Sequence, residues 1–445
     1  LLMAKQPPEA AVDTDALIGR VELAAGITYA PLQRQTIALA ARSRVMALTG
    51  GPGTGKTTTV RAILALFDAL GIKTLLTAPT GRAAKRMGEL TGREAATIHR
   101  LLGAGFQAEG ERVVFAHDED TPLDCGAVVL DECSMVDITL MQALLAALPP
   151  DCRLILVGDA DQLPSVGPGN VFADILRSGV VPSVRLTEIF RQAEGSRIVR
   201  NAHMIIAGEH PELRENSGDF FFLRRAEERA AAETIMELCC ERLPRRMGIP
   251  PEEIQVLTPT RKGALGSVEL NRILQSALNP PSKDKRERAF GEAIFREGDR
   301  VMQVRNNYDM VWKRQRPDGL PPESGTGIYN GDIGYIRAVD AEKEAVQIDF
   351  DGRVAECGFD QLAELEHAWA MTVHKSQGSE YRAVVLALGR GAPQLMTRGV
   401  LYTAVTRARE LLIAVGREDT ALQMIDDHRQ SRRYSGLRAR LAAGA

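Results

Sequence analysis

Short apolar runs alternate with helix-like patterns between about residue 45 and residue 190. One such pattern, "TTTVRAILALFDALG", has apolar residues at helical spacing and stops at Gly71, a residue typical of helix C-termini. This alternation is typical of a parallel sheet that is covered by helices on both faces. The predicted strands are "VMAL" (45–48), "TLLTA" (74–78), "AVVLDE" (127–132) and "RLILVGD" (153–159).

The alternation is interrupted at residues 103–124. Two short β-like pieces, "FQAE" and "RVVFAH", flank Gly110, and an acidic loop follows them. The pattern predicts a β-hairpin inserted into the first α/β domain. An ordinary surface hairpin would have the same pattern.

A second α/β pattern begins at "IQVLTPTR" (254–261) and resumes at "AVVLALG" (383–389) and "LLIAVG" (411–416). The residues between these parts behave differently. After the charged linker "NPPSKDKRER" (279–288), short strands are joined by Asn-Gly and Asp-Gly turns. These turns predict a small β-barrel inserted into a second α/β lobe.

Composition limits the class of protein. With 445 residues, 44% of them apolar and 25% charged, the chain is expected to be soluble and to contain two to four domains. Because the net charge is only −3, any nucleic acid would have to bind in a local groove. None of the six cysteines forms a C-x-x-C pair, which argues against zinc and for a reducing compartment.

The N-terminal stretch and the lengths of the apolar runs predict a cytoplasmic protein. No apolar run reaches the roughly 18 residues that span a membrane. The start, "LLMAKQPPEAAVD", lacks the apolar region of a signal peptide. It also does not begin with Met, so residues upstream of it could be missing.

A nucleotide site is predicted at "TGGPGTGKTTT" (49–59), which matches G-x-x-x-x-G-K-[ST] between a strand and a helix. Its glycines let backbone N–H groups turn toward phosphate oxygens, and the helix N-terminus favours negative charge. Lys56 would reach the β- and γ-phosphates, and the Thr57 hydroxyl would bind Mg²⁺. The predicted ATP-binding residues of this loop are Gly51, Pro52, Gly53, Thr54, Gly55, Lys56, Thr57 and Thr58.

Acidic residues follow two other predicted strands. In "VVLDECSMVD" (128–137), Asp131 can bind Mg²⁺ and Glu132 can orient and deprotonate an attacking water. Since a phosphotransferase needs only the first carboxylate, the pair favours hydrolysis of the nucleotide. In "LVGDADQLPSVGPGN" (156–170), Gln162 is a candidate sensor of the γ-phosphate.

Two arginines come from distant parts of the chain. Arg191 lies in "LTEIFRQ" (186–192), and Arg407 lies in "LYTAVTRARE" (401–410). An arginine supplied across a cleft stabilises the transferred phosphate and raises the rate by roughly 10³ to 10⁵. The simpler reading of the second stretch is an amphipathic helix with a solvated basic edge, and Arg409 has no assigned role.

These motifs together resemble the RecD-like 5′-to-3′ DNA helicases of superfamily 1, and they occur in the family's order across nearly the whole chain. The motifs that carry the resemblance are "LQRQ" (32–35), "GGPGTGKTT", "APTGRAAKRM" (78–87), "ATIHRLL" (96–102), "LDECSMVD", "VGDADQLPSVGPGNV", "EIFRQ", "VLTPTRKGALG" (256–266), "GDRVMQVRNNYD" (298–309), "AMTVHKSQGSEY" (370–381) and "LYTAVTRAR".

The resemblance implies an α/β fold with two RecA-like P-loop lobes built on parallel sheets. The hairpin would act as a pin that separates strands, and the inserted barrel would be SH3-like. The implied domains are an N-terminal segment (1–30), a first, ATP-binding lobe (31–190) with the hairpin (103–124), a second lobe (191–288 and 366–445) and the barrel (289–365).

The implied activity is an ATP-dependent DNA helicase with Mg²⁺ as its cofactor, acting in repair or recombination in the bacterial cytoplasm or nucleoid. Its partners would be single-stranded DNA and junctions with duplex DNA, and it could work as a monomer. Two alternatives stay open: an RNA-directed helicase of the same superfamily, and a nucleic-acid-binding subunit of a larger complex that uses ATP as a switch.

The resemblance also assigns residues. Gln35 would read adenine, although Gln33 stands where the family often has Asn, and Gly378 and Glu380 would approach the ribose and the γ-phosphate. Phe106 and Phe115 either serve as wedges or pack against the first lobe. The implied catalytic residues are Lys56, Asp131, Glu132, Gln162, Arg191 and Arg407, and the implied DNA-binding residues are Thr80, Arg82, Thr97, His99, Thr260, Arg261, Asn306, Asn307, His374 and Lys375.

Overall fold

A computed structural model describes residues 13–106, 113–190, 195–316, 320–427, 433 and 435–443. The chain forms two compact units. The first comprises Leu1–His203 and Arg429–Ala445, and the second comprises Met204–His428. None of the described helices is long and apolar enough to cross a membrane.

The first unit contains a six-stranded parallel sheet in the order β3-β2-β6-β7-β1-β8. The four strands predicted here are confirmed. The elements of this unit are α1 (Thr14–Ala25), α2 (Pro31–Arg42), β1 (Val45–Gly50), α3 (Lys56–Ala69), β2 (Thr74–Ala78), α4 (Gly81–Thr91), β3 (Ala95–Thr97), α5 (Ile98–Leu101), β4 (Ala104–Phe106), β5 (Val113–Phe115), β6 (Ala127–Leu130), α6 (Ile138–Ala146), β7 (Arg153–Gly158), α7 (Val171–Ser178), β8 (Ser183–Leu186) and α8 (Arg197–Ala207), which runs on into the second unit.

Both faces of this sheet are covered. Along β6, Val129 packs in a core with Phe67 of α3, whereas Val128 and Leu130 pack in a second core with Leu144 of α6. Successive residues of a strand point to opposite faces, so a strand that is apolar at every position has to be buried on both sides. This explains why the predicted strands read as continuous apolar runs.

The predicted hairpin is also present. β4 and β5 pair in antiparallel fashion, with Ala104 opposite Phe115 and Phe106 opposite Val113. Phe115 packs against the core of the first unit, which favours packing over a wedge role for this residue. The turn at residues 107–112 lies outside the described residues, and so does the side chain of Phe106.

The second unit contains a five-stranded parallel sheet in the order β20-β10-β21-β22-β9. Strands β9 and β20 were not predicted, although the aromatic run of β9 favours a strand, and β20 has only three residues. The elements of this α/β part are β9 (Phe220–Arg224), α9 (Glu228–Glu237), α10 (Leu243–Met247), β10 (Ile254–Thr258), α11 (Ser267–Leu278), β20 (Ala370–Thr372), β21 (Tyr381–Leu388), α12 (Arg398–Val405), β22 (Ala408–Gly416) and α13 (Glu418–Asp426).

The small β-barrel predicted within the second unit corresponds to an antiparallel sheet, which does not close on itself in the part of the chain that the structure describes. Its seven antiparallel strands run in the order β15-β14-β18-β17-β16-β13-β19, and the edge strands β15 and β19 each pair with a single neighbour. Its strands, with the hairpin β11–β12 that precedes them, are β11 (Glu287–Phe290), β12 (Ala293–Arg296), β13 (Arg300–Gln303), β14 (Asn307–Arg314), β15 (Glu323–Ile328), β16 (Ile333–Asp340), β17 (Ala345–Phe350), β18 (Arg353–Gly358) and β19 (Leu365–His367).

Candidate nucleotide and nucleic-acid sites

The phosphate loop joins β1 to α3 and is closely packed. Gly53 and Gly55 have φ angles of 73° and 77°, in the left-handed region that favours glycine. A Cβ atom at Gly55 would lie 2.5 Å from Nε2 of Gln33 and 2.8 Å from Cε2 of Phe190. Glycine at this position therefore lets the start of α3 pack closely against Gln33 and Phe190.

Lys56 begins α3, and its ammonium group lies over the loop. Its Nζ donates to the main-chain oxygens of Gly50 (2.5 Å) and Gly51 (3.1 Å). The buried Thr54 hydroxyl donates to the same Gly51 oxygen at 2.8 Å. The loop thus combines a cation with a helix N-terminus, and both favour an anion at this point.

Helix α2 carries two glutamines near the phosphate loop, and the structure places them differently. Gln33 of α2 is buried, and its Nε2 donates to the main-chain oxygen of Gly55 at 3.4 Å, while its Oε1 accepts from Ala30 N at 3.1 Å. Gln35, the residue that we predicted for the adenine contact, is exposed on the same helix. The third position of a helix can reach back to its start, as Gln33 does, and the fifth cannot.

The acidic pair follows β6. The Oδ1 atom of Asp131 accepts from the backbone N of Glu132 at 2.8 Å, and Asp131 N donates to the oxygen of Thr77 on the neighbouring β2 at 2.9 Å. Glu132 has a φ of 50°, in the left-handed region. Such a conformation in a non-glycine residue costs about 1–3 kcal/mol and is typical of functional sites.

A loop at the end of β7, residues 159–170, contains the candidate sensor Gln162, and we call it the sensor loop. Asp159 is 2% exposed and accepts from Asp161 N at 3.0 Å and from Nε2 of Gln162 at 3.3 Å. The Oε1 atom of Gln162 is buried, and within the described chain it has no hydrogen-bond partner. Burial raises the pKa of the Asp161 carboxyl, although Arg185 forms an ion pair with it.

The sheet register brings these strand ends to one edge. Thr49 of β1 is opposite Gly158 of β7, and Leu130 of β6 is opposite Leu156 of β7. One strand separates β6 from β1, so their ends lie about 10 Å apart. Lys56, Asp131 and Gln162 therefore belong to the same edge.

The donor set of this edge fits a hard cation. The Thr57 hydroxyl and the Asp131 carboxylate offer oxygen atoms, which Mg²⁺ prefers. Among the described residues no cluster of three or more His, Cys, Asp or Glu side chains could hold a metal by itself. A magnesium ion at this site would take its remaining ligands from phosphates and water, as is usual for nucleotide-bound Mg²⁺.

In the second unit, Arg407 is only 2% exposed. Its guanidinium donates to the main-chain oxygens of Ser379 (3.0 Å) and Thr403 (3.2 Å) and to the Thr406 hydroxyl (3.3 Å). In the part of the chain that the structure describes, all of these acceptors are uncharged. Gly378, with a φ of 72°, and Glu380 lie beside this contact. Arg191 lies outside the described residues.

The DNA-binding candidates of the first unit have local structural roles. Thr80 caps α4 by accepting from Ala83 N at 3.3 Å, and Thr97 caps α5 by accepting from Arg100 N at 3.1 Å. Arg82 is half-buried in α4. Burial lowers the pKa of His99, whose ring centre is 6.0 Å from that of Phe115, although Asp137 acts in the opposite direction.

In the second unit one carboxylate joins two of the candidates. Oε2 of Glu366 accepts from Nζ of Lys375 at 2.8 Å, and Oε1 lies 3.4 Å from Nη2 of Arg261. The sequence analysis missed Glu366, because no motif includes it. Glu366 is therefore a shared partner of two residues that we predict to contact DNA.

The other candidates of the second unit are held by local hydrogen bonds. Asn307 donates from Nδ2 to Oε2 of Glu364 at 3.2 Å. Asn306 is exposed and donates to the Tyr308 hydroxyl at 3.1 Å. Thr260 lies in the loop after β10, where its N donates to the Thr258 hydroxyl at 3.3 Å, and His374 begins a short 3-10 turn.

Family models match three parts of the chain. They are an AAA domain at residues 33–168, an ATP-dependent RecD-like DNA helicase SH3 domain at residues 270–350, and a UvrD-like helicase C-terminal domain at residues 367–415. The first covers the phosphate loop, the acidic pair and most of the sensor loop. The last covers Gly378 and Arg407.

Comparisons that cover most of this chain agree with these matches. The chain is 36% identical over 400 residues to the ATP-dependent RecD2 DNA helicase of Deinococcus radiodurans, a match that covers 90% of this chain and 50% of that protein. It is 34% identical over 442 residues to the RecBCD enzyme subunit RecD of Mycobacterium tuberculosis, covering 92% of this chain and 72% of the subunit. The chain thus spans half the length of the Deinococcus relative.

Among solved structures, a crystal structure of Bacteroides Pif1 bound to ssDNA superposes with a TM-score of 0.52 at 19% identity. The match covers 89% of this chain and 94% of that chain. A structure of Pif1 helicases, described for DNA unwinding at forked dsDNA, gives the same values. At this identity the likeness supports the fold alone.

Proposed function

Because the chain belongs to the RecD family of superfamily 1 helicases, we propose that it is an ATP-dependent DNA helicase that moves 5′ to 3′ on single-stranded DNA and separates duplex DNA. The relatives that carry this assignment are named as a RecD2 DNA helicase and as RecD subunits. The chain's own partners are then single-stranded DNA and junctions with duplex DNA. Such a motor works with the chromosome, in the bacterial cytoplasm or nucleoid, in repair or recombination.

The observation that carries the proposal is the single sheet edge that holds Lys56, Asp131 and Gln162. Lys56 would bind the β- and γ-phosphates of ATP, and Thr57 and Asp131 would hold Mg²⁺, which neutralises phosphate charge when bound. Glu132 would orient and deprotonate the attacking water. Its strained backbone supports this role, because strain is retained where the surrounding structure requires one geometry.

Gln33 replaces Gln35 in our proposal for the adenine contact. Its amide is already fixed between the start of α2 and Gly55. An amide held in this way can present a donor and an acceptor to a base edge at a small entropic cost. Gln162, whose Oε1 atom is buried without a partner among the described residues, would complete its hydrogen bonding when water or a phosphate is present.

Arg407 and Arg191 are proposed as the arginines that stabilise the γ-phosphate in the transition state. The acceptors around Arg407 are all uncharged within the described residues, so its charge is available for a phosphate. Gly378 and Glu380, on the loop that Arg407 contacts, would approach the ribose and the γ-phosphate.

The proposed DNA track combines cations with short polar side chains. Arg82, Arg261 and Lys375 would contact phosphates. Histidine and the short polar side chains would add hydrogen bonds and would bind the backbone without regard to sequence. These residues are Thr80, Thr97, His99, Thr260, Asn306, Asn307 and His374.

A second candidate function is that of a subunit within a larger nucleic-acid enzyme. It is favoured by the 34% identity to a protein named as a RecBCD enzyme subunit. Gel filtration, followed by an unwinding assay on the chain alone, distinguishes the two functions. A monomer that unwinds DNA unaided supports the first, and activity that requires added partners supports the second.

The decisive experiment compares duplexes that carry a 5′ or a 3′ single-stranded tail. The wild type is expected to unwind the 5′-tailed substrate and to hydrolyse ATP faster with DNA than with RNA. Lys56→Ala is expected to abolish hydrolysis and to keep single-strand binding. Lys73→Ala, at an exposed lysine that pairs with Asp124, is the matched control. Turnover that survives in Lys56→Ala, or unwinding only from a 3′ tail, would contradict the proposal.

A further inference from the structure

Arg433 contacts the sensor loop of the first unit, although the residues shortly before it in sequence belong to the second unit. Its Nη1 donates to the main-chain oxygens of Gly167 and Gly169, the latter at 3.0 Å, and to the Ser165 hydroxyl at 3.4 Å. All of these acceptors lie in residues 165–169 of the sensor loop. One guanidinium group therefore binds three residues in the part of the sensor loop that follows Gln162.

The segment that carries Arg433, here called the return segment (433 and 435–443), is anchored by further contacts. The Ser435 hydroxyl donates to Oδ2 of Asp174 on α7 at 2.5 Å. Leu437 packs against the same apolar core as Phe172 of α7. Residues Leu437–Ala443 form a last helix, α14. A side chain on an anchored segment can hold a loop, whereas one on a free end cannot, because the ordering entropy would oppose it.

The other side of the sensor loop is held by the segment that follows the acidic pair. Ile138 N donates to the oxygen of Pro168 at 3.0 Å. Asp137 caps α6 by accepting from Leu140 N at 2.8 Å, and it packs so tightly on Gly167 that a Cβ atom there would collide with its carboxylate. The sensor loop is thus fixed between residues 137–138 and Arg433.

We propose that Arg433 is a positioning residue for ATP hydrolysis, which fixes the sensor loop so that Gln162 is presented to the γ-phosphate and the attacking water. Arg433 touches neither nucleotide nor metal in this role and acts through the loop. A charged donor that serves several main-chain oxygens is stronger than a neutral one, and Ser165, which is 2% exposed, orients the same oxygens from within the loop. The proposal rests on the proposed ATPase function.

The test uses Arg433→Ala, Arg433→Lys and the control Arg438→Ala in the full chain. Arg438→Ala removes one positive charge from the return segment, as Arg433→Ala does, but from an exposed side chain. Arg433→Ala is expected to lower the DNA-stimulated kcat by about tenfold, while KM for ATP and Kd for a single-stranded oligonucleotide stay within about twofold. Arg433→Lys should recover part of kcat. In a Gln162→Ala background, Arg433→Ala should change kcat by less than about twofold, because Arg433 is proposed to act on hydrolysis only through Gln162.

Hydrogen exchange gives a readout that does not depend on activity. Amides of residues 160–169 are expected to exchange faster in Arg433→Ala than in Arg438→Ala, with the amides of α3 unchanged. If the chain hydrolyses no ATP at all, the proposed function fails and this measurement still decides whether Arg433 holds the loop. Unchanged exchange in the sensor loop, full additivity with Gln162→Ala, or a lower melting temperature with normal kcat would overturn the proposal.

Discussion

Arg407 and Ser379 are joined by a 3.0 Å hydrogen bond from Nη1 of the guanidinium to the main-chain oxygen of the serine. The main-chain oxygen of Arg407 also accepts from Tyr381 N at 2.8 Å. Arg407 therefore holds the backbone on both sides of Glu380. Glu380 and Arg407 are both proposed to act at the nucleotide. These two hydrogen bonds fix the position of one residue relative to the other.

Replacing Arg407 is expected to change the rate of ATP hydrolysis much more than the thermal stability of the protein. A buried charge whose described acceptors are all neutral costs folding free energy, and methionine has a similar volume without the charge. Arg407→Met should therefore lower kcat by about 10³-fold or more, whereas the melting temperature should change little, because removal of the buried charge offsets the loss of its hydrogen bonds to Ser379, Thr403 and Thr406. Steady-state ATPase assays and thermal denaturation measure the two effects.

The matched control for Arg407→Met is Arg409→Met, because Arg409 is exposed on the adjoining strand. It should leave both quantities unchanged. A strongly destabilised Arg407→Met protein that retains a normal kcat would mean that the guanidinium serves folding and not hydrolysis.

The hairpin is expected to serve unwinding and not ATP hydrolysis. Since Phe106 is opposite Val113, residues 107–112 can be replaced by Asn-Gly, which closes the same two strands with a tight turn. The packing of Phe115 against the first unit is kept. This variant should lose most unwinding of a 5′-tailed duplex, while its DNA-stimulated ATPase stays within about twofold of wild type. Unwinding at the wild-type rate would refute the pin hypothesis.

Glu366→Gln is expected to tighten DNA binding. The carboxylate pairs with Lys375 and Arg261, so DNA phosphates have to displace it before both cations can bind them. Loss of a partly exposed ion pair corresponds to about a two- to fivefold gain in affinity for single-stranded DNA at moderate salt. Fluorescence anisotropy with a labelled oligonucleotide, repeated over a range of salt concentrations, measures this gain.

The control for Glu366→Gln is Glu410→Gln. Glu410 pairs with Arg382 at 2.8 Å, and Arg382 belongs to none of the proposed DNA contacts. Equal affinity gains in both variants would point to the overall charge of the chain. A loss of affinity in Glu366→Gln would show that the carboxylate orients the two cations and does not compete with phosphates.

His99 is expected to make the first unit sensitive to acid. Burial lowers its pKa below the ordinary value of 6.5, so the folded chain keeps this ring neutral where the unfolded chain already binds a proton. The unfolded state then binds more protons, and the free energy of unfolding falls as the pH falls below about 6.5. His99→Gln should flatten this loss of stability in urea denaturation between about pH 7.5 and 5.5. An unaltered pH profile would contradict the assignment.

Much of the fold could be predicted from the chain alone, because its determinants are local. The continuous apolar strands that end in Gly50 and Leu130 and the glycines of the phosphate loop each act within a few residues. Those features predicted the parallel sheets, the hairpin and the candidate nucleotide loop. Strand β9 was missed although the turn-forming residues "NSGD" (216–219) precede "FFFLR". A small barrel was predicted because turns indicate which neighbouring strands pair but not whether the two edge strands of the sheet meet.

By itself, then, the sequence determined which residue types follow each strand, and hence the candidate chemistry at Lys56, Asp131 and Gln162. Only the tertiary structure decided which side chains meet. Gln33 and not Gln35 reaches Gly55, because the start of α2 sets its rotation. Glu366 meets Lys375 and Arg433 meets Gly169 because packing brings distant segments together, and neither contact leaves a local signal in the chain.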